Sequence, residues 1–272
     1  MKSFNNKTVI ITGASSGIGL ALARNLAAKG ANLVLGARKY VVLCKIAQDL
    51  EREFAIKVVA VQCDVSKEDD CKHLVQQALL TFQTIDVLIN NAGVSMRALF
   101  NELDLRVLRN LMDVNFWGTV YCTKFALPEL LINGGSVVGV SSIAGYRGLP
   151  GRTGYSASKF AMNGFMESLR VENLKTKLHV MVACPGFTAS NIRNTAFDKN
   201  GEQFGETSMN EKKMMTAEEV AARIIQGIQD RKRTLIMTRQ GKLAVWMNKL
   251  FPAWVDRKVF QLFAREKDPL VK

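Results

Sequence analysis

The chain has 272 residues, 48% of them hydrophobic, enough for one large α/β domain whose core needs no metal or disulfide staple. Its five cysteines (Cys44, Cys63, Cys71, Cys122, Cys184) show no CxxC spacing, and His73 and His179 have no partner at ligand spacing, so reduced thiols in a cytoplasmic protein are expected and a zinc site is not. The net charge is +13, and residues 231–272 hold eleven Lys/Arg against three Asp/Glu, which points either to an anionic partner or to a plainly solvated basic surface.

Residues 1–7 are polar and fit no signal-peptide pattern. The apolar runs fall well short of the roughly 18 residues that span a bilayer, so a protein that is soluble, or peripheral at a membrane surface, is expected. From there short β-branched runs alternate with stretches of helical spacing. Predicted strands are 8–12 (TVIIT), 32–36, 57–62, 86–90, 136–140, 178–183 and 234–237. Predicted helices are 18–29, 39–54, 67–82, 105–131, 155–174 and 217–229. Most of the strands are apolar throughout, as strands covered on both faces are. Repeated β-α-β units imply a doubly wound, Rossmann-type α/β domain over residues 1–239 with a seven-stranded parallel sheet. Residues 187–213 are polar with scattered Phe and Met, and are expected to form a helical lid over a binding site. Residues 240–272 predict a basic, amphipathic helical extension of the same domain, broken at Pro252.

The first strand runs into Gly13, Ala14, Ser15, Ser16, Gly17, Ile18 and Gly19. Glycines there let the backbone turn tightly against a diphosphate, while the following helix aims its N–H groups at the anion. The GxxxGxG spacing differs from the commoner GxGxxG, and packing between helix and strand is the alternative use of such a turn. At the end of the second strand an acid would bind the adenosine ribose of NAD. This chain has Gly36-Ala37-Arg38-Lys39 instead. A guanidinium grips a 2′-phosphate bidentately, so Arg38 favours NADP(H), with Ser15 offering a hydroxyl to the same phosphate. The alternative is a solvated first-turn arginine. Asp64, followed by Val65, ends the third strand, where it can meet the adenine or cap the next helix.

Tyr155 and Lys159 form the unit YSASK and share one face of a predicted helix. A neighbouring ammonium favours the phenolate and fits Tyr155 for acid–base work near neutral pH. Ser142 follows the fifth strand, Asn91, Ala92 and Gly93 follow the fourth, and Pro185 and Gly186 follow the sixth. All lie at strand C-termini, where doubly wound folds bind ligands. Asn115 is a lone amide in an apolar helical stretch and requires a buried partner.

Together TGASSGIG, NNAG, Asn115, Ser142, YSASK and CPG occur in the order and spacing of the short-chain dehydrogenase/reductase family, which the chain resembles over residues 7–237. The resemblance implies an NADP(H)-dependent enzyme that interconverts a carbonyl and a secondary alcohol. It implies Tyr155 as proton donor or acceptor at the substrate oxygen, Ser142 as that oxygen's hydrogen-bond partner, and Lys159 as holder of the nicotinamide ribose. Asn115 would anchor a water relay to Lys159. The glycine loop, Asp64 and Val65, Asn91 to Gly93, and Pro185, Gly186 and Thr188 would border the cofactor. A homodimer or homotetramer is also implied.

The substrate is expected among Met96, Leu99, Ile143, Tyr146, Leu149, Phe187, Phe197, Phe204 and Met209, a lining suited to a hydrophobic or lipid-like ketone reduced by NADPH. A non-catalytic NADP(H)-binding regulatory module is the competing class, and the complete Asn-Ser-Tyr-Lys set speaks against it. Nucleic-acid binding would rest on the basic tail alone and is not expected. Aromatics alternate with bases in that tail, which suits either a membrane interface or packing on the protein.

Overall fold

The computed structural model describes residues 3–188, 192, 195–203, 205, 214–265 and 269–271. Among these, seven strands form one parallel sheet: β1 Thr8–Thr12, β2 Asn32–Ala37, β3 Val58–Gln62, β4 Val87–Asn90, β5 Ser136–Val140, β6 His179–Cys184 and β7 Thr234–Ile236. Their order is β3-β2-β1-β4-β5-β6-β7. The direction of winding therefore reverses between β1 and β4, where a crevice opens beyond the strand C-termini.

Alternation along each strand divides the core. In β1, Val9 and Ile11 face one layer, built with α1 (Gly17–Ala27), α2 (Tyr40–Phe54) and α7 (Ala217–Gln229). Ile10 faces the other, built with α3 (Glu68–Phe82), α4 (Leu105–Met112), α5 (Gly118–Ile132) and α6 (Thr153–Glu172). Burial on both faces explains why the inner strands are largely apolar, whereas the edge strands β3 and β7 are partly exposed.

The single helix predicted over 105–131 is α4 and α5 joined by a π-helical turn at Asp113–Trp117. One extra residue in that turn swings Asn115 inward, a device that recurs at functional sites. The predicted helical lid forms no helix among its described residues, which make turns and isolated bridges: Thr188 bridges Met215, and Phe197 bridges Met96 and Gln203. Phe204 and Met209, expected in the lining, lie outside the described residues. After β7 come α8 (Arg239–Leu250) and α9 (Pro252–Phe263), the latter opening on Pro252 where the ring's fixed φ suits a first turn.

Candidate active site

Thr12 and Asn91 hold the glycine loop in place. The Thr12 hydroxyl accepts the N–H groups of Asn91 and Ala92, each at 3.0 Å. The Asn91 amide returns bonds to the carbonyls of Thr12 (2.9 Å) and Gly13 (3.3 Å). Gly13 has φ +66°, and a Cβ there would stand 2.8 Å from Ala92 Cα, so only glycine fits this crossing of β1 and β4. Gly19 serves the same loop from behind. A Cβ on it would strike the Gly13 carbonyl at 2.2 Å, and Gly19 packs helix to loop without forming part of the cleft wall. Ser16 precedes α1 in extended conformation and makes no side-chain cap, which leaves the first-turn N–H groups directed at the cleft.

That cleft has a volume of about 760 Å³. Gly13, Ser15, Ser16, Gly17 and Ile18 line one wall, with Arg38 exposed at the rim. Asp64, Val65, Asn91, Ala92 and Gly93 follow, then Ser142, Tyr155 and Lys159. Pro185, Gly186, Phe187 and Thr188 close the far side. Asp64 does not cap α3, which begins at Glu68 after Lys67 with no side-chain cap. Its Oδ1 accepts the N–H (3.1 Å) and hydroxyl (2.8 Å) of Ser66 while the residue lines the cleft.

At the reactive end, Tyr155 occupies the first turn of α6 with Lys159 one turn on, its Nζ 5.9 Å from the Tyr155 ring centre. Lys159 is 3% exposed, and its Nζ donates to the Val140 carbonyl at 2.9 Å. Burial pulls its pKa down to about 8. Ser142 begins a short 3₁₀ turn, Ile143–Gly145, where its hydroxyl accepts the Ala144 N–H at 3.1 Å.

Asn115 is fully buried and stands behind the cleft wall. Its Oδ1 accepts the Val94 N–H at 2.8 Å, and its Nδ2 donates to the Val94 carbonyl (3.0 Å) and to the Ser158 hydroxyl (2.9 Å). Ser158 in turn donates to the Tyr155 carbonyl at 2.8 Å. A Cβ on Gly93 would lie 3.0 Å from Asn115 Oδ1 and 3.5 Å from Lys159 Nζ, so Gly93 packs directly against both groups.

Four expected lining residues are elsewhere. Met96 is fully buried against Gly154. Ile143 leaves the 3₁₀ turn on the opposite side and packs on Gly241 of α8. Tyr146 joins the core, where burial raises its pKa and Cys184, Thr234, Glu167 and Arg170 surround it. The tight turn after β5 rotates both side chains away from the cleft. Leu99 does not line the cleft either, whereas Leu149, Phe187 and Phe197 do.

Sequence reasoning missed Thr12, Ser158 and Arg152. The Arg152 guanidinium lines the cleft and donates to Ser95 Oγ (2.8 Å) and the Met96 carbonyl (3.2 Å). A lone base in GLPGRTGY, three residues before Tyr155, was its only signal.

The family model for short chain dehydrogenases matches residues 7–201. Among curated proteins, 11-beta-hydroxysteroid dehydrogenase A of Sesamum indicum is 39% identical over 211 residues, which are 77% of this chain and 60% of that protein. The chain thus spans about three fifths of that relative's length. The dehydrogenase/reductase SDR family protein 7-like of Dictyostelium discoideum is 32% identical over 93% of this chain and 81% of its own length. Among solved structures, a short-chain dehydrogenase from Sphingobium yanoikuyae in complex with NADPH has a TM-score of 0.78 at 26% identity, covering 96% of this chain and 98% of that one. An alcohol dehydrogenase from the archaeon Thermococcus sibiricus, complexed with 5-hydroxy-NADP, has a TM-score of 0.72 at 27% identity, covering 85% and 94%.

Proposed function

Because this chain belongs to the short-chain dehydrogenase/reductase family, we propose that it is an NADP(H)-dependent oxidoreductase that interconverts a carbonyl and a secondary alcohol, reducing a hydrophobic ketone. The observation that carries this reading is the convergence of Ser142, Tyr155 and Lys159 at one end of a cleft whose other end is a glycine loop with Arg38 at its rim. The residues present fit a dinucleotide: the Gly13 crossing admits no side chain, and the first-turn N–H groups of α1 suit a diphosphate.

A bound nicotinamide dinucleotide supplies or accepts the hydride. The chain's own groups manage the oxygen. In reduction, the Tyr155 hydroxyl donates its proton to the carbonyl oxygen, and Ser142 donates a hydrogen bond to the same atom. The Lys159 ammonium lies on the Tyr155 side of the cleft, where its charge favours the phenolate left behind and its remaining N–H groups suit ribose hydroxyls. Asn115 acts indirectly, by fixing the Val94 backbone and Ser158.

Arg38 supports NADP(H) over NAD(H), and the NADPH complex of the Sphingobium enzyme is in keeping with it. Leu149, Phe187 and Phe197 support an apolar substrate. The steroid dehydrogenase name of the Sesamum relative agrees. Pairing into a homodimer or homotetramer would cover Trp117 and Phe160, exposed on the π turn and α6.

NADPH oxidation should be followed over a panel of steroid, 3-keto-lipid, retinoid, quinone and short-chain carbonyls, with wild type and Tyr155→Phe. Turnover is expected on apolar ketones, with loss of about a thousandfold or more in the variant and nearly unchanged NADPH affinity. Wild-type-like turnover by Tyr155→Phe would refute the assignment.

A further inference from the structure

The two helices after β7 carry an apolar face that the body of the protein leaves uncovered. Only Gly241 of α8 and Val255 of α9 are buried. Leu243, Trp246 and Leu250 follow at helical spacing along α8 and are 59%, 56% and 52% exposed. Phe251 and Trp254 continue the stripe across the turn at 53% and 51%. A water-facing surface gains nothing from two tryptophans, and exposed apolar patches of this kind mark interaction sites.

Bases frame the stripe. Residues 239–265 contain Arg239, Lys242, Lys249, Arg257, Lys258 and Arg265 against one acid, Asp256. Asp256 is already paired with Arg147 of the body. Lys258 Nζ stands 5.7 Å over the Trp254 ring, so its charge travels with the aromatic surface. The helices are fastened in place: Arg147 Nη1 donates to Asn248 Oδ1 at 3.0 Å, and Asn248 Nδ2 donates to the Tyr146 carbonyl at 3.3 Å. The face is thus presented by a fixed support. No described helix is long and apolar enough to cross a membrane.

We propose that the α8–α9 face docks on the surface of an anionic lipid bilayer. Tryptophan rings and the stems of lysine and arginine settle at the headgroup boundary, where ring and alkyl chain enter the apolar layer and the charge stays with the lipid phosphates. A second copy of the chain fits this face less well, because face-to-face contact would bring the bases of both copies together. Docking goes beyond the proposed reaction and does not depend on it.

The test is flotation of the purified full chain with phosphatidylcholine vesicles, with and without about one third phosphatidylserine. Co-flotation with the anionic vesicles is expected, at least tenfold weaker on the zwitterionic ones and weakened by salt. Trp246→Ser/Trp254→Ser and Lys242→Glu/Lys249→Glu should each lower binding tenfold or more while keeping the wild-type unfolding transition, since all four side chains are exposed. A blue shift of tryptophan emission on adding anionic vesicles is the accompanying signature. The proposal fails if the folded wild type does not float, or if the tryptophan pair variant floats as well as wild type. It also fails if that variant instead abolishes a concentration-dependent dimer of a wild type that ignores vesicles.

Discussion

Asn115 pairs with both backbone groups of Val94, accepting its N–H at 2.8 Å and donating to its carbonyl at 3.0 Å. One amide thus replaces a strand partner just beyond β4 and ties it to the π turn. Through Ser158 the same side chain reaches the Tyr155 carbonyl, so three elements meeting at the cleft share one buried anchor.

Asn115→Leu keeps the volume and removes those bonds. Two backbone groups of Val94 lose their partner, which costs about 2–4 kcal/mol of stability. Urea unfolding should show the midpoint falling by that equivalent, and an unchanged midpoint would mean that Val94 finds other partners.

Lys159 is expected to weaken the fold it serves. Its pKa is about 8 in the folded protein against 10.5 for a free side chain, so between pH 8 and 10.5 the unfolded state keeps a proton that the folded state has released, and below pH 8 the folded state carries the buried charge. This penalty is fully present below pH 8 and is relieved as pH rises toward 10.5. Lys159→Met should therefore be about 2 kcal/mol more stable than wild type at pH 7, after allowing for the lost bond to Val140, while losing activity. The gap should narrow between pH 8 and 10. Equal stability at both ends would show that the buried charge is compensated.

Arg38→Asp should lower NADPH affinity about ten- to a hundredfold and leave NADH affinity little changed or improved, as read by fluorescence titration with each cofactor. Equal losses for both would remove Arg38 as the reader of a 2′-phosphate.

His179 acts with the same sign in a lower pH window. Burial lowers its pKa to about 4 from 6.5; Nε2 lies 2.9 Å from the Lys232 carbonyl and Nδ1 lies 3.1 Å from the Ser136 hydroxyl. A base whose folded pKa is depressed costs stability as pH falls, because the unfolded state takes up the proton first. Between pH 7 and pH 5 the wild type should lose about 2 kcal/mol through this residue. His179→Gln should lose correspondingly less over the same range, by urea titration at both pH values.

The strands were legible because burial on both faces leaves a run of apolar residues that needs no knowledge of neighbours. The glycine loop and YSASK were legible because their chemistry is local in sequence. What the sequence withheld is non-local. A polar Asn115 among Val114, Phe116 and Trp117 announced the need for a partner, but the partner is the backbone of Val94, 21 residues away, and the π turn that allows it has no signature of its own. Ile143 and Tyr146 follow Ser142 directly and were expected beside it. The direction in which a tight turn releases its next residues is set by what packs beneath, here Gly241 and the Arg170 side of the core. Thr12 and Ser158 look like ordinary small residues until their bonds to Asn91, Ala92 and Asn115 are seen.

Thr238 caps α8 by accepting the Gly241 N–H, and its methyl packs on Gly186 at the wall of the cleft. Ile143 presses on Gly241 from the other side, and Arg147 clasps Asn248 and Asp256. The segment after the last strand is therefore a buttress to the crevice as well as an outward face. Cutting the chain at residue 239 would leave the Pro185-Gly186 wall and the turn after Ser142 without their backing, so a shortened protein would report a loosened crevice as much as a missing surface. Single side-chain changes on α8 and α9 separate the two roles, because the outer stripe and the inner struts use different residues of the same helices.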